Sequence, residues 1–113
     1  MVKRYIPKQR DVVFLDFNPT IGHEQRGFRP AVVISTTVFN QNTKMVIVCP
    51  ITSNEKEFPT HYKLEDTKNI HGSVLCEHIR SIDYEIRNLK FVEKLSDNDF
   101  LSIITLLNAC IEE

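Results

Sequence analysis

Three short β-branched runs limit what this chain can fold into more than any other feature. They are DVVFLDF at 11–17, AVVIST at 31–36 and MVIVCP at 45–50. Each is too short for an ordinary helix and rich in Val and Ile, which pack well on a pleated surface. The first alternates, with Val13, Leu15 and Phe17 on one face and Val12, Phe14 and Asp16 on the other. Weaker strand candidates follow at 60–64, 73–76, 79–82 and 90–93. Turn chemistry separates them: Asn18-Pro19, Gly22, Gly27, Asn40 to Thr43 and His71-Gly72. Many short strands with irregular links imply a mainly β fold, closed into a small barrel so that no edge is left open. From Ser96 the period changes. Phe100, Ile103, Ile104, Leu107 and Ile111 follow helical spacing, Ser96 suits an N-cap, and Asp97 and Asp99 suit the positive end of the helix dipole. A C-terminal helix is predicted to pack along the barrel. Leu101, Leu106 and Cys110 widen its apolar face enough for a subunit contact.

At 113 residues the expectation is a single domain over 1–113. No apolar run approaches the roughly 18 residues of a membrane span, and the charged N-terminus does not read as a signal peptide. Cys49, Cys76 and Cys110 are odd in number, far apart and set in apolar segments, which predicts buried free thiols in a reducing compartment. A cytoplasmic protein with no membrane partner is expected. Net charge is −1, but residues 1–30 hold six Lys and Arg against three Asp and Glu, whereas 91–113 hold one against five. A basic front and an acidic tail let one face attract a polyanion while the molecule stays near neutral.

The connection from Asn18 to Pro30 has no apolar periodicity and carries Thr20, His23, Glu24, Gln25, Arg26 and Arg29. Loops this long in small domains are usually either functional or disordered, and its two glycines and two prolines favour a shaped one. No metal or cofactor is expected. The four histidines form no HExxH pattern, the cysteines form no CxxC pair, and HEQRG has Gly27 where a second ligand would stand. A cysteine nucleophile is not expected either, since Cys49 and Cys76 lie in apolar runs.

Four ordered segments carry a family resemblance: DVVFLDFNPTIGHEQRGFRPAVVIS at 11–35, VIVCPITS at 46–53, GSVLCEHIRSID at 72–83, and the closing helix. In these the chain resembles the MazF/PemK toxins. The resemblance implies an SH3-like barrel of the MazF/PemK/CcdB type, a homodimer, and sequence-specific, metal-independent cleavage of single-stranded mRNA that arrests translation and growth. It also implies neutralisation by a cognate MazE-like antitoxin with a disordered segment. Arg29 and Thr52 fall on the family's catalytic positions, and His23, Glu24 and Gln25 on the loop around the scissile phosphate. Glu77 and Arg80 fall on the segment lining the RNA groove. Phe17, Asn18, Thr20, Arg26 and Ser53 complete the expected substrate-binding set.

The chemistry also stands without the family. In RNA the 2′-hydroxyl can attack the adjacent phosphorus and expel the 5′-oxygen, leaving a 2′,3′-cyclic phosphate and a 5′-hydroxyl. That step needs a base, an acid and a donor for the developing oxyanion. Arg29 offers a permanent planar cation, and Thr52 a hydroxyl for a non-bridging oxygen. Glu24 is expected to be catalytic, while His23 could also move a proton. Some members carry arginine and aspartate around the third segment's cysteine. Here Leu75 and Glu77 stand there, so the proton-transfer roles stay open. The alternative reading is a non-enzymatic CcdB-like toxin that acts by binding a protein, which needs no phosphate-directed arginine.

Overall fold

The computed structural model describes residues 4–18, 22–24 and 27–113. Seven strands run β1 (Asp11–Asp16), β2 (Phe28–Val33), β3 (Met45–Thr52), β4 (His61–Lys63), β5 (Ser73–Leu75), β6 (Arg80–Asp83) and β7 (Lys90–Lys94). Helix α1 (Thr37–Thr43) joins β2 to β3, a 3₁₀ turn (Cys76–His78) joins β5 to β6, and α2 (Asp97–Ile111) closes the chain. The ladders are antiparallel in the order β4-β5-β3-β2-β1-β7, with β6 also pairing β3. The closure expected from sequence is not made by backbone pairing. Among the described residues no ladder joins β7 to β4 or β6.

The alternation in β1 is real, and both of its faces are buried. Val12 joins Val32, Cys49, Ile51, Val74 and Cys76 beneath Phe100, Ile103 and Leu107 of α2. Val13, Leu15 and Phe17 join Ala31, Val33, Val46, Val48, Ile82 and Tyr84 on the other side. Each Val, Leu, Ile or Phe among them stabilises the fold by about 1.5–3 kcal/mol relative to exposure. Helix α2 starts where its cap predicts, with the Ser96 hydroxyl accepting from the Asp99 N–H at 3.1 Å. Asp99 does more than complement the dipole. It is fully buried and accepts from the Tyr62 hydroxyl (2.7 Å) and the backbone N–H groups of Glu65 (3.2 Å) and Asp66 (2.9 Å), which ties the segment after β4 to the helix.

Three expectations need correction. Cys49 and Cys76 are buried, but Cys110 is exposed, because it falls in the last turn of α2, past the buried Leu107. The segment from Asn40 to Thr43 is the end of a helix rather than a turn. Asn40 is fully buried there, donating to the Pro7 carbonyl (2.8 Å) and pairing with the Ser35 hydroxyl, while its carbonyl accepts from the Tyr84 hydroxyl (3.0 Å). Third, β2 begins at Phe28, so Arg29 lies on a strand and the preceding loop ends at Gly27.

Candidate active site

Pro30 shapes the site. Phe17 N–H donates to the Gly27 carbonyl (2.9 Å), and antiparallel pairs alternate between bonded and non-bonded. Phe14 and Pro30, three residues further along, therefore form a non-bonded pair, and the missing N–H of Pro30 costs the β1–β2 ladder nothing. That vacant position faces β3 instead. There the β2–β3 ladder runs Val33 to Val48, Val32 to Cys49 and Ala31 to Pro50, and then stops. The next bonded pair would join Pro30 to Ile51, and Pro30 has no N–H to give it. Past this point lies a cavity of about 540 Å³, walled by Arg29, Pro30, Ile51, Ser53 and His71 among others. Counted on along the same register, Arg29 stands across from Thr52.

The pleat also fixes which face each residue takes. Arg29 pairs with Leu15 and alternates with Ala31, while Thr52 alternates with Pro50 and Val48. Arg80 pairs with Val48. Arg29, Thr52 and Arg80 thus share the face that carries the Leu15 and Val48 cluster. The Thr52 hydroxyl oxygen accepts from the Asn54 N–H at 3.2 Å, which leaves its own proton available to a ligand. Gly72 (φ +140°) lies so close to Thr52 that an added Cβ would sit 2.1 Å from the Thr52 carbonyl oxygen. The loop before Gly72 is clamped by Glu93, whose carboxylate accepts from the backbone N–H groups of Lys68 (2.9 Å), Asn69 (2.8 Å) and Ile70 (2.9 Å). Burial would lift the Glu93 carboxyl, but the three N–H donors and nearby His71 outweigh it and hold it below the usual carboxylate value of 4.5.

A depressed carboxyl contributes stability above its unfolded value and loses that contribution as pH falls through the folded one. The clamp is therefore present at neutral pH and is lost as pH falls below the ordinary carboxylate value of 4.5 and through the lower folded one. Glu93→Gln is expected to remove amide-exchange protection at Lys68, Asn69 and Ile70 at pH 7, as acid does in the wild type. Unchanged protection factors in that variant would refute the clamp.

A second, smaller cavity of about 200 Å³ is lined by Glu24, Pro50, Glu77, His78, Ile79 and Arg80. Glu24 lies 3.7 Å from Arg80, whose guanidinium sits over the Phe17 ring at 5.7 Å from its centroid. Arg80 Nη1 is buried and, among the described residues, has no hydrogen-bond acceptor. The same Nη1 is the atom that faces Glu24 at 3.7 Å, as an ion pair beyond hydrogen-bond reach. Both Glu77 oxygens are engaged, one by the Thr60 hydroxyl (2.8 Å) and one by His61 Nε2 (2.8 Å). Burial raises the Glu77 carboxyl, yet its own backbone N–H, Thr60 and His61 together hold it low.

The structure separates the expected residues into groups. Arg29 and Ser53 wall the larger cavity, and Glu24, Glu77 and Arg80 wall the smaller one. Phe17 has no exposed surface, so its ring supports Arg80 from within the core and is not open to a stacking base. Asn18 spans the neck of the loop, its side chain accepting from the Gly27 N–H (3.1 Å). His23 is exposed and lines neither cavity. Thr20, Gln25 and Arg26 lie outside the described residues. Sequence reasoning missed His71, which the fold brings to the wall of the Arg29 cavity, and His61, the partner of Glu77. The Cys49 thiol is pushed up by its contact with Cys76 and by burial, so it is a poor nucleophile.

The described helices include none long and apolar enough to cross a membrane. Among relatives, the endoribonuclease toxin MazF of Escherichia coli K12 is 38% identical over 87 residues, 77% of this chain and 78% of that one. The endoribonuclease toxin ChpB of the same strain is 33% identical, covering 99% of this chain and 100% of that one. A crystal structure of MazF from Deinococcus radiodurans superposes with a TM-score of 0.91 at 31% identity, over 97% of this chain and 100% of that one. A MazE–MazF structure from that organism gives 0.83 at 27% identity, over 96% and 98%. The pattern of the PemK-like, MazF-like toxins of type II toxin–antitoxin systems matches residues 8–111. With that match running from before β1 to the last turn of α2, the chain belongs to the PemK-like, MazF-like toxin family.

Proposed function

We propose that this chain is a cytoplasmic, sequence-specific endoribonuclease toxin that cuts single-stranded mRNA by attack of the 2′-hydroxyl, without a metal ion. The reading rests on Arg29 at the wall of the larger cavity and on Thr52, which the β2–β3 register, continued past Ala31 and Pro50, sets across from it. A phosphate at that opening would meet a planar cation from one strand and a free hydroxyl proton from the next, the donor pair that a developing phosphorane oxyanion needs. Glu24 is assigned the 2′-hydroxyl proton. Arg80, at the wall of the smaller cavity, and Ser53, at that of the larger, are assigned to neighbouring phosphates or base edges. Glu77 shapes the smaller cavity through its bonds to Thr60 and His61.

The direct test incubates purified protein with a long, unstructured RNA in excess EDTA and maps new 5′-hydroxyl ends by sequencing. Cuts at one short recurring motif, unaffected by the chelator, are expected. Magnesium dependence of the cleavage step would refute the mechanism, and intact RNA would favour the protein-binding CcdB-like alternative. Binding of an uncleavable RNA is expected to weaken with salt, with a slope of about −0.7 per phosphate neutralised.

The chain is also assigned a homodimeric state and a MazE-like antitoxin. Leu101 and Ile111 of α2 are 57% and 72% exposed, more apolar surface than packing on one sheet requires. Light scattering at micromolar concentration, under reducing conditions because Cys110 is exposed, should give twice the chain mass. A monomer that still cleaves RNA would refute the dimer.

A further inference from the structure

We propose that His71 is the general acid of this site, delivering the proton to the departing 5′-oxygen. The inference rests on the reading of the chain as an RNA-cleaving enzyme and completes it, because that reading leaves the leaving group without a proton donor.

Position comes first. His71 lines the same cavity as Arg29 and Ser53, is exposed to solvent, and makes no hydrogen bond among the described residues. Its backbone is nonetheless fixed on both sides. The three residues before it give their N–H groups to the Glu93 carboxylate. The residue after it, Gly72, accepts the Leu64 N–H at 2.9 Å and lies against the Thr52 carbonyl. An exposed imidazole on an anchored backbone, one residue before β5, whose Ser73 pairs with Thr52, suits a group that must meet a reacting atom.

Elimination within the cavity comes second. Of its nine lining residues, Arg29 and His71 are the two that can carry charge. Arginine remains protonated in proteins, so it stabilises charge but is a poor proton donor. Histidine is the side chain suited to giving up and regaining a proton near neutral pH. The charged groups facing it from other elements are Glu93 of β7 and Arg29 of β2.

Direction comes third. In an in-line displacement the entering 2′-oxygen and the leaving 5′-oxygen occupy opposite sides of phosphorus. Glu24 lines one cavity and His71 the other, and the two reach successive residues of β3, Pro50 and Ile51, whose side chains take opposite faces of the strand. As the 2′-oxygen–phosphorus bond forms, the 2′-hydroxyl proton passes to Glu24. As the phosphorus–5′-oxygen bond breaks, the imidazolium proton of His71 passes to the 5′-oxygen. The products are the cyclic phosphate, the 5′-hydroxyl, a protonated Glu24 and a neutral His71, and exchange with water restores both groups.

The test uses two oligonucleotides carrying the mapped cleavage motif, one natural and one with sulfur replacing the bridging 5′-oxygen at the cut. Thiolate leaves without a proton, so general acid catalysis no longer matters for that substrate. His71→Gln and His71→Ala are expected to slow cleavage of the natural linkage by about 100- to 10,000-fold and to match wild type within a few-fold on the sulfur linkage. Arg29→Ala should be slow on both, because the charge on the phosphoryl oxygens is the same in each. Equal defects of the His71 variants on both linkages, or no defect on either, would overturn the assignment. A wild-type protein that cuts neither substrate would instead overturn the functional reading beneath it.

Discussion

Arg29→Ala protein is expected to fold, to melt near the wild-type temperature, and to cut RNA on the order of 100- to 1,000-fold more slowly. Arg29 is half-buried at the cavity mouth, on the outer stretch of β2 before the ladder to β3 begins, so its loss leaves the core clusters intact. Thr52→Ala is expected to show a comparable loss of rate. It also removes the acceptor for Asn54 N–H, a partly exposed bond whose net contribution is about 0.5–1.5 kcal/mol. Single-turnover rates on the mapped motif, with circular dichroism as the fold control, decide the matter. A folded Arg29→Ala protein that cleaves at the wild-type rate would remove this arginine from the chemistry. Were kcat unchanged and only KM raised, Arg29 would be binding RNA in the ground state and not its transition state.

Gly72→Ala should be the most damaging change of a single carbon. The new Cβ would lie 2.1 Å from the Thr52 carbonyl oxygen and 3.0 Å from its carbon, both backbone atoms of the central strand that cannot swing aside. The backbone at Gly72 is also in a left-handed region that other residues rarely adopt, at φ +140°. Overpacking of this kind costs about 1–3 kcal/mol and the conformational strain about 1–3 kcal/mol more. Against a typical total of about 5–15 kcal/mol, this should lower Tm by roughly 10 °C or more. Gly27→Ala supplies the control. It has positive φ (+84°) but nothing within 4 Å of the added carbon, so strain alone applies. If the two variants melted together, the close approach to Thr52 would not matter. Even below its melting temperature, Gly72→Ala should cleave poorly, because relief of the clash displaces Thr52 from its place between β5 and β2.

Periodicity read most of the scaffold, and the reasons are local. β1 alternates cleanly because each of its faces meets a different cluster. α2 shows its cap, its dipole carboxylates and its core residues Phe100, Ile103 and Leu107 in one stretch of sequence. α1 was illegible because Thr, Val and Asn are weak helix formers, and its buried anchor Asn40 looks like turn chemistry until its distant partners are known. The start of β2 was hidden by Gly27 and Pro30, which read as loop residues. At the site, the motif order pointed to Arg29 and Thr52. His71 carried no sequence signal beyond its place before a glycine, because its nearness to Arg29 comes from a ladder joining residues about forty positions apart. Phe17 illustrates the opposite case. An aromatic residue at the edge of a polar loop resembles a stacking platform, and only its burial shows which side of the sheet claims it.

The Asn40 junction has a consequence for the order in which the molecule assembles. Its carboxamide needs Pro7, 33 positions earlier, and its carbonyl needs Tyr84, 44 positions later. Neither partner is in place until β1, β3 and β6 have come together, so α1 has little to hold it in a partly formed chain. Docking of α1 should therefore follow the rate-limiting step. Asn40→Ala is expected to accelerate unfolding in denaturant and to leave the refolding limb of the chevron nearly unmoved, a φ-value close to zero. A slowed refolding limb in that variant would place this polar junction inside the nucleus.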